Sequence, residues 1–140
     1  MRALVDLAVF SLAAAALLVA AAGVKVAIDS RAHFRAGEAL AGRGERRHVA
    51  ADLVAAGEAH ARAVRSYVPF FSHGRESLAR IRDLGLGLQR DGHLVEARRV
   101  WLAGADAASS LTLLYAPYEE EAASLVLAAR VLAGAEAHRE

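Results

Sequence analysis

Histidines are the side chains in this sequence most able to bind a metal or transfer protons near neutral pH. There are six: His33, His48, His60, His73, His93 and His138. A zinc site on a helix needs two histidines close together on one face, as in His-Glu-x-x-His, and no pair has that spacing. The chain also has no cysteine, which excludes disulfides, thiolate ligands and cysteine nucleophiles. We therefore predict no metal site.

Other patterns that could carry catalysis are equally incomplete. Gly85-Leu86-Gly87 has no further glycine and no preceding strand, so it does not predict a dinucleotide site, and no phosphate loop is present. Residues 119–121 are three adjacent glutamates, which favour the positive end of a helix dipole. We predict no catalytic residues, no cofactor and no enzyme activity. The alternative is a small enzyme with a polar pocket formed by His60, Glu58 and Arg62, residues that an exposed helix face explains equally well.

The charge of the chain argues against a nucleic-acid partner. From residue 31 onward there are 15 arginines and 14 acidic residues, so this part is nearly neutral. Nucleic-acid binding needs a concentrated basic face. No pattern indicates a small-molecule substrate either. The chain contains one lysine and 16 arginines, a bias typical of a GC-rich bacterial genome.

The elements that carry these residues begin with an apolar segment. Residues 7–24 contain no charged side chain, and residues 26–28 extend the run beyond Lys25. About 20 mostly apolar residues cross the hydrocarbon of a bilayer. We predict a transmembrane anchor over residues 1–29 and one soluble domain over residues 30–140, in the inner membrane of a bacterial cell.

A cleaved signal peptide is the alternative to the anchor. Ala20, Ala21 and Ala22 form a small-residue cleavage pattern, although the apolar run is longer than a usual signal peptide and Asp6 lies where positive charge is preferred. The side on which the domain lies stays open. Arg2 precedes the segment and three basic residues follow it, with acidic residues on both sides.

The rest of the chain is rich in helix-forming residues, and the fold class is predicted to be all-α. Ser30 is read as a hinge or cap, after which the first helix either continues or restarts, and Gly42 and Gly44 predict a break. Apolar spacing predicts four further helices, over residues 48–68, from about 75 to Gly92, over residues 94–114, and from Pro117 to about residue 135.

The spacing in residues 81–108 resembles one unit of the tetratricopeptide repeat, a helix-turn-helix in which small residues let two helices approach. The residues that carry it are Leu84, Gly85, Leu88, Gly92, Ala97 and Trp101. Leu88 stands where the family usually has tyrosine. Residues 34–69 resemble a degenerate second unit, so the resemblance covers about half of the chain. It implies a protein-interaction scaffold; the alternative is a helical-hairpin domain unrelated to the repeat.

Two groups of residues are candidates for contact with a partner protein or with lipid. Aromatic residues that border loops could meet a partner protein or be buried in the domain's own core: Phe70, Phe71, Tyr115 and Tyr118. Basic residues near the apolar segment could meet lipid headgroups: Lys25, Arg43, Arg46 and Arg47. The alternative for this second group is that the four side chains lie in solvent and contact no lipid.

These features predict a single-pass, membrane-anchored accessory or scaffold subunit. Its partners would be the lipid bilayer and other membrane protein subunits, because small residues in the apolar segment allow helices to pack closely within lipid. The alternative is a secreted or periplasmic helical binding module that is released by cleavage near Ala22.

Overall fold

The fold consists of helices joined by turns. The computed structural model describes residues 2–66, 73–111 and 117–137, and within these ranges every regular element is an α-helix. The helices are α1 (Arg2–Arg47), α2 (Ala50–Arg65), α3 (His73–Arg90), α4 (Leu94–Ser109) and α5 (Glu119–Ala137). The prediction of an all-α fold is confirmed. So is the prediction of one N-terminal helix that is long and apolar enough to span a membrane.

Helix α1 is continuous over 46 residues, or roughly 69 Å at 1.5 Å per residue. It passes through Ser30, and it also passes through Gly42 and Gly44, so the predicted break at these glycines is wrong. The reason is packing, since Gly44 is buried against α2. A Cβ at Gly44 would lie 2.7 Å from a side-chain carbon of Leu53. The glycine lets α2 approach rather than ending the helix.

Two residues, His48 and Val49, separate α1 from α2. His48 has a positive φ of 54°, and the N–H of Val49 donates to the carbonyl of Gly44 over 3.1 Å. Helix α3 ends in the same way, with Gly92 at φ 84° and the N–H of His93 donating to the carbonyl of Leu88 over 2.8 Å. Both ends have the geometry of a Schellman motif. The predicted stop at Gly92 is confirmed.

The other helix boundaries agree with the sequence to within a few residues. Helix α2 begins and ends inside the predicted range of 48–68, and α5 begins two residues after Pro117. Helix α4 ends at Ser109, earlier than the predicted residue 114, and Ser110 follows in a turn. Pro69 lies outside the described residues.

The helices form two stacked hairpins. The second half of α1 packs on α2, and α3 packs on α4; short turns of two and three residues join the helices of each hairpin. Helix α2 also packs on α3 and α4, so it lies at the centre, and α5 packs on α4. This places much of α2 out of contact with water, including Ala56, Ala59 and Val64. The core is therefore shared by the hairpins.

Candidate functional site

From Val9 to Ile28, helix α1 is left uncovered by the part of the chain that the structure describes. None of the residues in its apolar window is buried, and large side chains such as Phe10, Leu17 and Leu18 are more than 70% exposed. The first buried residue of α1 among those whose side chains are described is Ser30, whose hydroxyl donates to the carbonyl of Ala63 over 3.2 Å. A contiguous apolar surface of this length requires lipid or another protein around it.

The residues predicted to meet lipid headgroups lie at two different heights along α1. Lys25 is at the end of the apolar segment and pairs with Asp29 over 2.6 Å. Arg43, Arg46 and Arg47 lie 15 to 19 residues beyond residue 28, which corresponds to about 22–28 Å along the helix axis. The headgroup layer extends only about 5–8 Å beyond the hydrocarbon. Arg43 also makes two hydrogen bonds to the carboxylate of Asp52.

The residues chosen for the tetratricopeptide resemblance meet between α3 and α4. Trp101 is 2% exposed, and its indole N–H donates to the carbonyl of Arg82 over 3.3 Å. Its ring lies directly over Gly85, where a Cβ would come within 2.0 Å of Nε1. Leu84, Leu88 and Ala97 are buried around this contact. Gly92 forms the turn between the two helices.

Of the four aromatic residues suggested as partner contacts, the structure describes only Tyr118. It is buried at 6% exposure, and its hydroxyl lies over Gly74, where an added Cβ would be 2.4 Å away. Phe70, Phe71 and Tyr115 lie outside the described residues. Tyr118 is therefore part of the domain's own core, which was the alternative to a contact with a partner protein.

A cleft between α1, α2 and α3 contains the polar cluster that stands out in the described part of the fold. Its volume is about 620 Å³. The cluster consists of Glu38 from α1, His60 from α2 and Arg80 from α3. One guanidinium nitrogen of Arg80 donates to Oε2 of Glu38 over 2.6 Å, and Oε1 of Glu38 lies 3.4 Å from Nε2 of His60. We call these three residues the cleft triad.

The cleft triad is only partly satisfied by hydrogen bonds. His60 is 0% exposed, and neither of its ring nitrogens has a hydrogen-bond partner among the residues that the structure describes. The 3.4 Å approach to Glu38 is not aligned for a hydrogen bond, so Oε1 of Glu38 also accepts no hydrogen bond from the described residues. Buried polar atoms are almost always paired in folded proteins, so unpaired ones need an explanation.

The environment of His60 favours its neutral form. Burial lowers the pKa of the imidazole below the ordinary value of 6.5, the carboxylate of Glu38 raises it in part, and the guanidinium of Arg80 lowers it again. The rings of Phe34 and His60 also meet in a T-shaped arrangement, with centroids 5.3 Å apart and an angle of 71° between their planes. His60 is held between α1 and α2, because Gly37 leaves room for its ring.

Carboxylates dominate the charged lining of the cleft. Besides Glu38 it includes Glu45, Asp83 and Asp91; the guanidinium groups of Arg80 and Arg90 also line the cleft, and Asp83 pairs with Arg82 over 3.5 Å. Among the described residues, Glu45 and Asp91 have no ion-pair partner. Within that part of the chain, no group of three or more His, Cys, Asp or Glu residues could hold a metal ion.

Sequence reasoning missed the cleft triad. His60 was considered with Glu58 and Arg62, but the cleft contains neither of these, and Glu58 instead pairs with Arg99 over 2.6 Å. One signal was present in the sequence, since His60 lies between alanines on the apolar stripe of α2. Nothing in the sequence linked it to Glu38 and Arg80, which are 22 and 20 residues away on other helices.

Comparisons of this chain with protein-family models, with curated proteins and with solved structures find no match. The functional argument therefore depends on the chain's own residues.

Proposed function

We propose that this protein is a single-pass, membrane-anchored accessory or scaffold subunit that holds a partner protein at a bacterial inner membrane. The observation that carries the proposal is the continuity of α1. One helix is exposed and apolar between Val9 and Ile28, and its second half is built into the soluble domain. An exposed helical face of this kind is typical of a segment surrounded by lipid.

The continuous helix gives such an anchor a mechanical consequence. No described loop separates the apolar segment from the domain, and the first buried contact, at Ser30, comes only two residues after Ile28. The domain would therefore stand at a fixed angle next to the bilayer. Lys25 is suitably placed for a headgroup contact, whereas Arg43, Arg46 and Arg47 would lie beyond the headgroups.

A tetratricopeptide-like arrangement is part of the same proposal. The close approach of Gly85 to Trp101 and the stacking of two short-turn hairpins support it. Such hairpin arrays expose surfaces that suit protein partners. The alanine-rich faces of the apolar segment supply a second contact, because small residues let membrane helices pack closely.

Export after cleavage is the second candidate function, and one observation favours it. The packed part of α1 begins at Ser30, eight residues after the cleavage pattern that ends at Ala22. Cleavage there would leave the buried contact of Ser30 with Ala63 in place. The product would be a secreted or periplasmic helical binding module with the same fold.

Membrane extraction with alkaline carbonate tests the anchor. We expect the native chain to remain in the membrane pellet with the apolar segment retained by mass spectrometry. Leu17→Arg should move a large share of the chain to the supernatant, because arginine at the centre of a span costs about 3 kcal/mol. Val95→Arg is the matched control, since Val95 is 69% exposed on the soluble domain and Leu17 is 72% exposed.

The scaffold role requires a second measurement. Cross-linking in intact membranes, followed by gentle detergent purification, should recover other membrane subunits with this chain. A native chain that is extracted by carbonate, or that begins at Gly23, would contradict the anchor and support export. A chain that purifies alone after efficient cross-linking would contradict the scaffold.

A further inference from the structure

Helix α5 is the last helix of the stack, and its inner side packs on α4. The buried residues of α5 form one stripe: Ala122, Leu125, Ala129 and Leu132. Since each residue turns a helix by about 100°, Leu127 lies opposite the centre of this stripe. Leu127 is 64% exposed, so the outer side of α5 carries a large apolar side chain that the described part of the chain leaves uncovered.

The neighbours of Leu127 continue its surface along the outer side of α5. Glu120, Ala123, Leu127, Val131 and Gly134 are all exposed and follow each other at spacings of three and four residues. We call these residues the α5 face. Spacing of this kind forms the seam between two paired helices. The terminal helix of a stacked array normally has a polar outer side, so an apolar seam at this position indicates a contact with a further helix.

A groove adjoins the α5 face on the side of α4. It has a volume of about 620 Å³, and Ala108, Ser109 and Arg130 are among the residues that line it. Ala123 and Leu127 belong both to the groove and to the α5 face. A helix lying on the α5 face would fill the groove with its side chains, as the ridges of one helix fill the grooves of another. The face and the groove therefore form one docking surface for a helix.

The charges on α5 favour a second copy of α5 as that helix. Glu120 and Arg130 are exposed, and neither has an ion-pair partner among the described residues. Glu120 precedes Leu127 by seven residues and Arg130 follows it by three. In an antiparallel pair centred on Leu127, Arg130 and the partner's Glu120 are therefore separated by only about 6 Å along the axis, which an arginine side chain can span. A parallel pair would place each charge beside its own like charge, which is repulsive.

We propose that α5 joins two copies of this chain in a symmetric, antiparallel dimer through the α5 face and the adjoining groove. A two-fold contact needs a surface that is complementary to itself, and the order of charges on α5 meets this requirement. In the dimer Leu127 packs against the partner's Leu127, and Ala123 packs against the partner's Val131. The proposal goes beyond the membrane scaffold and does not depend on it, because α5 belongs to the soluble domain.

The first test is the mass of the full chain in detergent micelles, measured by light scattering with the bound detergent subtracted. We expect a dimer that dissociates on dilution. Leu127→Asp should weaken it by at least about a hundredfold, because each subunit loses an apolar contact and buries a charge. Leu86→Asp is the control, since Leu86 is also an exposed leucine inside a helix, and α3 packs on α1, α2 and α4. Circular dichroism checks that both variants fold.

Cross-linking tests the direction of the pair. The chain has no cysteine, so a single introduced cysteine reports on one position. Under mild oxidation, Leu127→Cys should form a cross-linked dimer much faster than Leu86→Cys. A mixture of Ala123→Cys and Val131→Cys chains should cross-link to each other faster than either chain does to its own kind, because only the antiparallel pair brings these two positions together.

Reversal of charge tests the ion pairs without changing the apolar contact. Arg130→Glu should weaken the dimer by about tenfold, because two attractive pairs become repulsive. Combining Arg130→Glu with Glu120→Arg should restore most of the affinity, since the two charges have exchanged places. A merely structural role for Arg130 predicts no such rescue.

Several results would overturn the proposal. These are a monomer at every concentration, equal weakening by Leu127→Asp and Leu86→Asp, faster cross-linking of like cysteines than of the mixed pair, and no rescue of Arg130→Glu. A dimer that persists in Leu127→Asp would overturn it as well, since another surface would then hold the two chains. In intact membranes, a cross-link from Leu127→Cys to a different chain, in place of a second copy, would identify another occupant and would also overturn it.

Discussion

Two glycines of α3 allow the packing between the helices of the second hairpin to be measured. A Cβ at Gly85 would come within 2.0 Å of Nε1 and 2.4 Å of Cε2 of Trp101, whereas a Cβ at Gly87 would have no neighbour within 4 Å. Both residues lie in the same helix. Replacing either by alanine therefore gives the same gain in helix propensity, and only one replacement creates a clash.

The expected magnitudes follow from these two effects. Alanine is favoured over glycine inside a helix by about 1 kcal/mol, so Gly87→Ala should raise the free energy of unfolding by up to that amount. Overpacking of a buried site costs about 1–3 kcal/mol, and the overlap with Trp101 places Gly85 at the upper end. Gly85→Ala should then lower the free energy of unfolding by about 2 kcal/mol, and the two variants should differ by about 3 kcal/mol.

Urea unfolding of the full chain in micelles checks this prediction. Trp101 is the single tryptophan, so its fluorescence reports on the altered contact itself, and circular dichroism reports on the helices. We expect a lower urea midpoint and a changed emission spectrum for Gly85→Ala. Equal stability of the two variants, with unchanged native emission, would refute the idea that Gly85 is required for the contact with Trp101.

Two further predictions concern the histidines. Burial lowers the pKa of His60 in the folded protein. Below about pH 6.5 the unfolded chain therefore binds a proton that the folded chain does not bind, so the free energy of unfolding should fall as the pH falls from 7 to 5. His60→Gln should flatten that slope in pH-dependent urea unfolding; an unchanged slope, or an equal flattening in exposed His93→Gln, would contradict the assignment. His48 and Gly92 each end a helix at positive φ, a conformation that costs a residue with a Cβ about 1–2 kcal/mol. In thermal unfolding, His48→Gly should therefore stabilise the fold by about this amount, and Gly92→Ala should destabilise it by about as much. Stability shifts of the same sign in the two variants would contradict this reasoning.

Local signals in the sequence were sufficient for most helices. The stop at Gly92 was predictable because a left-handed residue at a helix end favours glycine. The end of α1 was not, because the left-handed residue there is His48, and a glycine at position 44 resembled the more usual signal. A glycine that ends a helix and a glycine that lets two helices approach cannot be told apart in the sequence. At Gly44, only the packing of Leu53 against it shows that it is of the second kind.

The sequence by itself determined the all-α composition and the apolar segment, because both depend on properties that neighbouring residues share. The resemblance to a tetratricopeptide unit also placed Gly85 and Trp101 in one helical hairpin, although the contact between them became visible only in the structure. The tertiary structure decided that α1 runs unbroken from the apolar segment into the domain, since that depends on α2 packing over Gly44. It also decided the cleft triad. Glu38, His60 and Arg80 come from three helices, and only the stacking of the hairpins brings their charges and unpaired atoms together.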